Sequence, residues 1–166
     1  MAEAAAERLA RYYDLDLADE PADFDLYAAL AERTGGPVLE LAVGTGRIAV
    51  PLAAAGRSVT GIDHDPATLA RAERRWSTAR SNGRAPAGAH LELVTGDLLR
   101  VPASPRFALS ILAFNSLLLL ETAERQAAAV RRLARHLRPA GLAVVDVWLP
   151  GTEDLGLYDG RLIGEW

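Results

Sequence analysis

The chain reads as a doubly wound α/β domain, a mostly parallel sheet with helices on both faces. Three observations predict it. First, the apolar run Val38 to Val43 ends in Gly44-Thr45-Gly46, and a helical pattern through Ile48 and Leu52 follows. Strand, tight turn and helix make the opening βα unit of such a sheet. Second, short β-rich runs alternate with segments of helical period up to Trp148, the order that parallel crossovers need. Third, acids stand at or beside the carboxyl ends of three successive strands: Glu40, Asp63 and Asp97. Ligands of open parallel sheets bind outside those ends.

The elements follow in order. Residues 4–13 read as a short helix with Leu9 and Tyr13 four apart. Asp14 to Asp23 is acidic and broken by Pro21, and Asp23 is placed to cap a second helix over 24–33. Leu26, Leu30 and Ala29 are its expected inward positions, and Gly35-Gly36-Pro37 stops it. Residues 1–36 thus form an N-terminal helical cap, a candidate lid with Tyr12 and Tyr13 as its aromatic contacts. The core runs over 37–148. Its first helix, 47–55, takes Pro51 at the edge of the first turn, where a mild kink is expected. Ser58 to Asp63 is the second strand. Asp65-Pro66 then caps and starts a helix with a buried stripe of Leu69, Ala72, Trp76 and Ala79.

Residues 81–88 are a loop, and Leu91 to Val94 is the third strand. A connector with two prolines is too short for a full helix. Phe107 to Phe114 is nearly all apolar, as a central parallel strand should be. Thr122 caps a long helix to about 137, with Ala127, Val130, Leu133, Ala134 and Leu137 on one face. Arg131, Arg132, Arg135, His136 and Arg138 crowd its end, where cations offset the macrodipole. Pro139-Ala140-Gly141 stops it, and Leu142 to Trp148 is the fifth strand with Asp146 inside. Residues 149–166 are a turn-rich tail whose last six residues read as the start of a strand.

Composition narrows the functions. With 166 residues the chain is one domain on the length prior, and 50% apolar residues give it an ordinary globular core. A net charge of −4 speaks against holding phosphate backbones by charge, so no nucleic acid is expected. There is no cysteine, hence no disulfide and no thiolate site. The three histidines are far apart, and no metal site is expected. No signal peptide is read at the start, and the longest apolar run, near Ile111 to Leu120, is too short for a bilayer; the cytoplasm is the expected compartment.

The glycine turn is the expected binding site. Gly44 and Gly46 permit positive φ and leave room for a ligand at the helix N-terminus. Asp63 lies 63 − 44 = 19 residues beyond Gly44, the spacing at which an acid accepts from both hydroxyls of a ribose. Asp97, one strand further out, is placed to accept from an amino group such as that of adenine.

Five motifs carry a resemblance: Val38-Leu39-Glu40-Leu41-Ala42-Val43-Gly44-Thr45-Gly46-Arg47, Val59-Thr60-Gly61-Ile62-Asp63, Gly96-Asp97-Leu98, Phe114-Asn115-Ser116-Leu117 and His136-Leu137-Arg138-Pro139-Ala140-Gly141. In order and spacing the chain resembles the class I S-adenosylmethionine-dependent methyltransferases of small molecules. The resemblance implies S-adenosylmethionine as methyl donor and S-adenosylhomocysteine as product. It implies that Glu40 and the turn from Ala42 through Gly44 and Gly46 to Arg47 hold the methionine end. Asp63 would bind the ribose, His64 flank the adenine, and Asp97 and Leu98 read it. Phe114 and Asn115 would lie by the sulfonium at the mouth of the acceptor pocket, with Asn115 an orienting partner. Tyr13, or Tyr12, would touch the methionine carboxylate or the acceptor.

Two departures stand out. The family usually has glycine where this chain has Ala42; a methyl is small, and binding is expected to survive it. The family's sheet usually closes with two further strands after the fifth. Two expectations follow and stay open: the chain is a piece of a longer protein, or its sheet is completed by a partner, as in a homodimer through the open edge. The alternatives come from other classes. Gly44-x-Gly46-x-x-Ala49 with Asp63 also satisfies the fingerprint of NAD-dependent oxidoreductases. A non-catalytic nucleotide-binding module is the other. Against nucleic-acid substrates, Phe114-Asn115 is not the Asn/Asp-Pro-Pro-aromatic of exocyclic amine methylation, and no Pro-Cys nucleophile is present.

Overall fold

A computed structural model describes residues 7–8, 10–12, 15, 23–102, 104 and 106–152. Of the N-terminal cap, residues 7–8, 10–12 and 15 are helical; Leu9, Tyr13 and the acidic stretch before Asp23 lie outside the described residues, as do 153–166 with the expected final strand. The elements are α1 (Phe24–Thr34), β1 (Val38–Leu41), α2 (Ala49–Ala54), β2 (Ser58–Asp63), α3 (Pro66–Ser81), β3 (His90–Thr95), β4 (Phe107–Leu112), α4 (Ala123–His136) and β5 (Leu137–Val145).

The sheet has the order β3-β2-β1-β4-β5, and every pairing is parallel. The chain winds outward from β1 in one direction and then returns to wind in the other. The switch point therefore lies between β1 and β4, where doubly wound sheets open a crevice at their carboxyl edge. Glu40 pairs with Gly61 on one side and Ile111 on the other, so it sits mid-sheet.

Strand alternation splits the core into two layers. Val38, Val59, Leu109 and Ile111 face α1, α2 and α3, where Tyr27, Ala31, Leu52, Leu69 and Trp76 meet them. Leu39, Leu41, Ile62 and Leu112 face α4 through Ala129 and Leu133. The α3 stripe of Leu69, Ala72, Trp76 and Ala79 is buried as its period requires, and the Asp65 carboxylate caps the helix by accepting from Ala67 N–H at 2.8 Å. Pro51 falls at the third position of α2, where no intrahelical N–H is lost.

Four expectations need correction. Asp23 makes no side-chain cap on α1, because its carboxylate is taken by Arg47. In α1 the buried residues are Tyr27 and Ala31; Leu26 and Ala29 are exposed and Leu30 half-buried. Tyr27 goes inside because its hydroxyl finds a partner there, which counting aliphatic residues overlooks. In α4, capped by the Thr122 hydroxyl, the buried stripe is Ala129, Leu133 and His136, while Ala127, Val130 and Ala134 face outward. Finally, β5 is assigned from Leu137, but its pairing with β4 shifts between Leu137 and Leu142, across Ala140 at φ +62°. Regular pairing runs from Leu142 to Val145, so Asp146 stands just past the strand. Among the described residues no strand pairs with the outer side of β5, and no helix is long and apolar enough to cross a membrane.

His136 is 1% exposed, packed at a tilt 6.1 Å from the Phe107 ring. Its Nδ1 accepts from Ser104 N–H at 3.2 Å, and Nε2 is buried without a partner. Burial first, then Arg132 and Arg106, push its pKa below the ordinary 6.5. It is therefore a neutral core residue and no cation for the α4 macrodipole. Arg132 and Arg138 are used structurally, donating to Leu99 O and Thr34 O. Below about pH 6.5 the unfolded chain binds a proton at this position that the folded chain refuses. Relative to His136→Gln, the wild type is expected to lose stability as pH falls below 6.5; urea melts across that range check it.

Candidate functional site

The sheet order lines up the chemistry along one edge. Asp97 follows β3, Asp63 ends β2, Glu40 and the glycine turn end β1, Phe114 and Asn115 follow β4, and Asp146 follows β5. Gly96 N–H donates to Asp63 O at 2.8 Å and Val43 N–H to Ile62 O at 3.0 Å, so the three acid-bearing ends are tied together by backbone.

The turn is built by Asp63. Its Oδ2 accepts from Gly44 N–H at 2.8 Å and its Oδ1 from Asp65 N–H at 2.9 Å. One carboxylate thus fixes both the glycine turn and the start of α3, with acceptor capacity remaining on each oxygen. Gly44 has φ +54°, and a Cβ there would meet nothing within 4 Å: the space above it is open. Gly46 is the opposite case. Its φ is +77°, and a Cβ would lie 2.8 Å from Val50 Cγ2 and 3.0 Å from Ala72 Cβ. Gly44 faces open space; Gly46 leaves room for α3. A third glycine, whose role no sequence pattern marks, belongs here. At Gly61 a Cβ would lie 2.7 Å from Val43 Cγ2, so only glycine lets the turn fold down beside Glu40.

Ala42 adopts φ +57°, the left-handed region that costs a non-glycine residue about 1–2 kcal/mol. This is the physical reason for glycine at the position. Ala42→Gly is expected to raise stability by up to about 1 kcal/mol, the relieved strain less the added chain entropy. A denaturant melt with unchanged slope checks it.

Glu40 is 4% exposed. Its Oε2 is buried with no hydrogen-bond partner. Burial pushes its pKa up to about 8, with Asp63 and Asp23 adding to the rise and Arg47 and the Ala49 backbone opposing it. A neutral buried acid with an unused oxygen is costly unless something is meant to meet it.

Arg47 is the junction of the site. It makes a bidentate pair with Asp23 at 2.6 Å on each arm, which lowers the Asp23 pKa. Its guanidinium also lies 5.0 Å over the Phe114 ring. Asp146 Oδ2 accepts from Tyr27 OH at 3.0 Å and from Phe114 N–H at 3.2 Å. Asn115 Oδ1 accepts from Trp148 N–H at 2.5 Å, which leaves its amide hydrogens as donors. Asp23, Tyr27 and Asp146 thus join the site without having been picked out for it. Nothing local in the sequence marks them, because each is tied in by a partner far along the chain.

On the outer side, Asp97 Oδ1 accepts from Leu99 N–H at 2.8 Å and Oδ2 lies 3.5 Å from Arg100 Nε. Leu98 packs against the α4-side core. The His64 side chain is 85% exposed with Nδ1 3.4 Å from Asp63 Oδ1. Tyr12 is exposed in its helical stretch, and Tyr13 lies outside the described residues. Among the described residues no three His, Cys, Asp or Glu side chains group to hold a metal ion.

Comparison with known proteins places this edge in a family. Residues 38–141, more than half of the chain, match the family described as a methyltransferase domain. The cypemycin N-terminal methyltransferase of a Streptomyces species is 30% identical over 129 residues, 78% of this chain and 49% of that protein. A TehB-like methyltransferase of Corynebacterium glutamicum, described as dependent on S-adenosylmethionine, superposes with a TM-score of 0.62 at 26% identity. That match covers 86% of this chain and 72% of the other. The glycopeptide N-methyltransferase MtfA, solved with S-adenosylmethionine, matches at 30% identity and a TM-score of 0.56, over 70% of this chain and 50% of its own. The chain spans about half the length of the curated relatives it matches. With the motif order, the switch-point edge and these matches in hand, the chain belongs to the class I S-adenosylmethionine-dependent methyltransferases.

Proposed function

We propose that the protein transfers a methyl group from S-adenosylmethionine to a small-molecule acceptor at the carboxyl edge between β1 and β4. The observation that carries this reading is Glu40: a buried acid with one unpartnered oxygen, at the end of the strand whose turn leaves open space over Gly44. Those residues fit a ligand with a cationic amine at one end and a nucleoside at the other. Glu40 would receive the ammonium, the Gly44 turn would accommodate the methionine backbone, and Asp63 would add ribose hydroxyls to the backbone donors it already holds. Asp97 and Leu98 would meet the adenine, with His64 beside it. Phe114 and Asn115 would rim the side from which the acceptor comes, and Tyr13 would contribute from the cap.

When bound, S-adenosylmethionine supplies a methyl carbon on a sulfonium, already activated for in-line displacement by a nucleophile. The protein's task is then alignment and exclusion of water. The Phe114 ring would help keep the acceptor side dry, and the Asn115 amide hydrogens, left as donors, would orient a polar acceptor. The acceptor's nucleophile is an N, O or C atom, and the relatives named above, an N-terminal methyltransferase and a glycopeptide N-methyltransferase, favour nitrogen among the three.

Calorimetric titration of the chain tests the reading. Binding of S-adenosylmethionine and S-adenosylhomocysteine with micromolar affinity, and no binding of NAD, is expected. Tight NAD binding instead would move the chain to the oxidoreductases. No binding by folded chain would favour a role without methyl transfer.

A further inference from the structure

Helix α1 reaches the carboxyl edge at two points, and both converge on Phe114. At its start, Asp23 holds Arg47, whose guanidinium covers the Phe114 ring. One turn later, Tyr27 OH donates to Asp146 Oδ2, the oxygen that also accepts Phe114 N–H. The Asp146 carbonyl accepts the next amide, Asn115 N–H, at 3.1 Å. Asp146 therefore takes both amide hydrogens of the bend after β4.

That bend needs holding. Phe114 and Asn115 are consecutive non-glycine residues at φ +48° and +60°. Such conformations persist only where their surroundings over-determine them. Tyr27 is 0% exposed, and its hydroxyl bridges 119 residues of chain to reach Asp146. Phenylalanine would pack as well in the same place. The hydroxyl is there for the carboxylate, and burial with Asp146 beside it keeps it a donor.

We propose that Tyr27 and Asp146 are a positioning pair: the Tyr27 hydroxyl orients the Asp146 carboxylate, which holds the Phe114–Asn115 bend that shapes the acceptor side of the site. For its purpose the pair rests on the methyl-transfer reading; its geometry belongs to the free chain. Because Arg47 and Asp146 are both held from α1, docking of this helix links the donor end of the site to the acceptor end.

Amide hydrogen exchange on the free chain, read residue by residue by NMR, tests the pair with three variants. In Tyr27→Phe the Phe114 and Asn115 amides are expected to exchange about tenfold faster, the scale of local opening when one supporting hydrogen bond is lost. Leu39 and Leu41 amides, mid-sheet, are expected to stay unchanged. Asp146→Ala should match or exceed Tyr27→Phe. Asp146→Asn should restore slow exchange, because a carboxamide oxygen accepts from both donors. Unchanged exchange at Phe114 and Asn115 in Tyr27→Phe overturns the proposal, and so does a rise shared equally by Leu39 and Leu41. If Asp146→Asn behaves like Asp146→Ala, the charge matters rather than the hydrogen bonds, and the pair as described is wrong. Should Asp146→Ala fail to fold, Tyr27→Phe and Asp146→Asn decide. Titration of the same variants with S-adenosylhomocysteine separates the two readings. A wild type that ignores the ligand sinks the donor site and leaves the exchange result standing. A Tyr27→Phe chain that loses more than about tenfold in affinity, one hydrogen bond's worth, makes Tyr27 a donor-side residue and overturns the acceptor-side assignment.

Discussion

Gly46→Ala is expected to lose about 2–5 kcal/mol of stability and all measurable affinity for S-adenosylhomocysteine. Two effects add. The residue sits at φ +77°, where a side chain is strained by about 1–2 kcal/mol. The new methyl would also lie 2.8 Å from Val50 Cγ2 and 3.0 Å from Ala72 Cβ, and overpacking of a close contact costs about 1–3 kcal/mol. Neither neighbour moves without shifting α2 or α3, and α3 begins at the loop that Asp63 fixes. Gly44→Ala is the control. It is strained in the same way at φ +54° but meets nothing within 4 Å. It should fold with a loss of only about 1–2 kcal/mol, yet bind poorly because its methyl fills the space left for the ligand. Urea melts and calorimetry on both variants separate the two roles. Equal stability in the two variants would contradict the account.

Glu40 carries the second large effect. Its folded-state pKa of about 8 stands above the ordinary 4.5, so between these values the folded chain holds a proton that the unfolded chain releases. Stability is therefore expected to fall as pH rises from 4.5 through 8, by several kcal/mol in all, and to level above that. Glu40→Gln should remove this decline. An incoming ammonium reverses the preference by pairing with the ionised acid. Binding of S-adenosylhomocysteine at pH 7 is then expected to release about one proton, read from calorimetry in buffers of different ionisation enthalpy. In Glu40→Gln the release should vanish and affinity fall about 100-fold, the scale of a lost charged hydrogen bond.

Much of this was legible in the sequence where the signal is local. The α3 stripe from Leu69 to Ala79 is a run of helical period on a capped segment, and it is buried as read. The strand ends of Glu40 and Asp63 follow from apolar runs and turn residues, and the parallel pairing follows from the helical crossovers between strands. What escaped was decided by partners far away in the chain. Asp23 reads as a cap because nothing nearby says that Arg47, 24 residues on, takes its carboxylate. Asp146 reads as a strand residue because its partner Tyr27 is 119 residues earlier. In α4 the pattern puts His136 among the surface cations, whereas its burial makes it a neutral member of the core and turns the buried stripe toward it. Ala42 stands out in the sequence as a departure, but only its φ of +57° shows why glycine belongs there.

The central claim is that the carboxyl edge around Glu40, Gly44 and Asp63 is the donor site. Its most direct test is mapping of amide shifts on addition of S-adenosylhomocysteine to the full chain. The account predicts large, saturable shifts at Gly44, Asp63, Asp97 and Phe114, with little change at the opposite edge. That opposite edge carries a cleft of about 320 Å³ lined by Arg33, Ala108 and Arg138. Shifts centred there, with Gly44 and Asp63 silent, would contradict it.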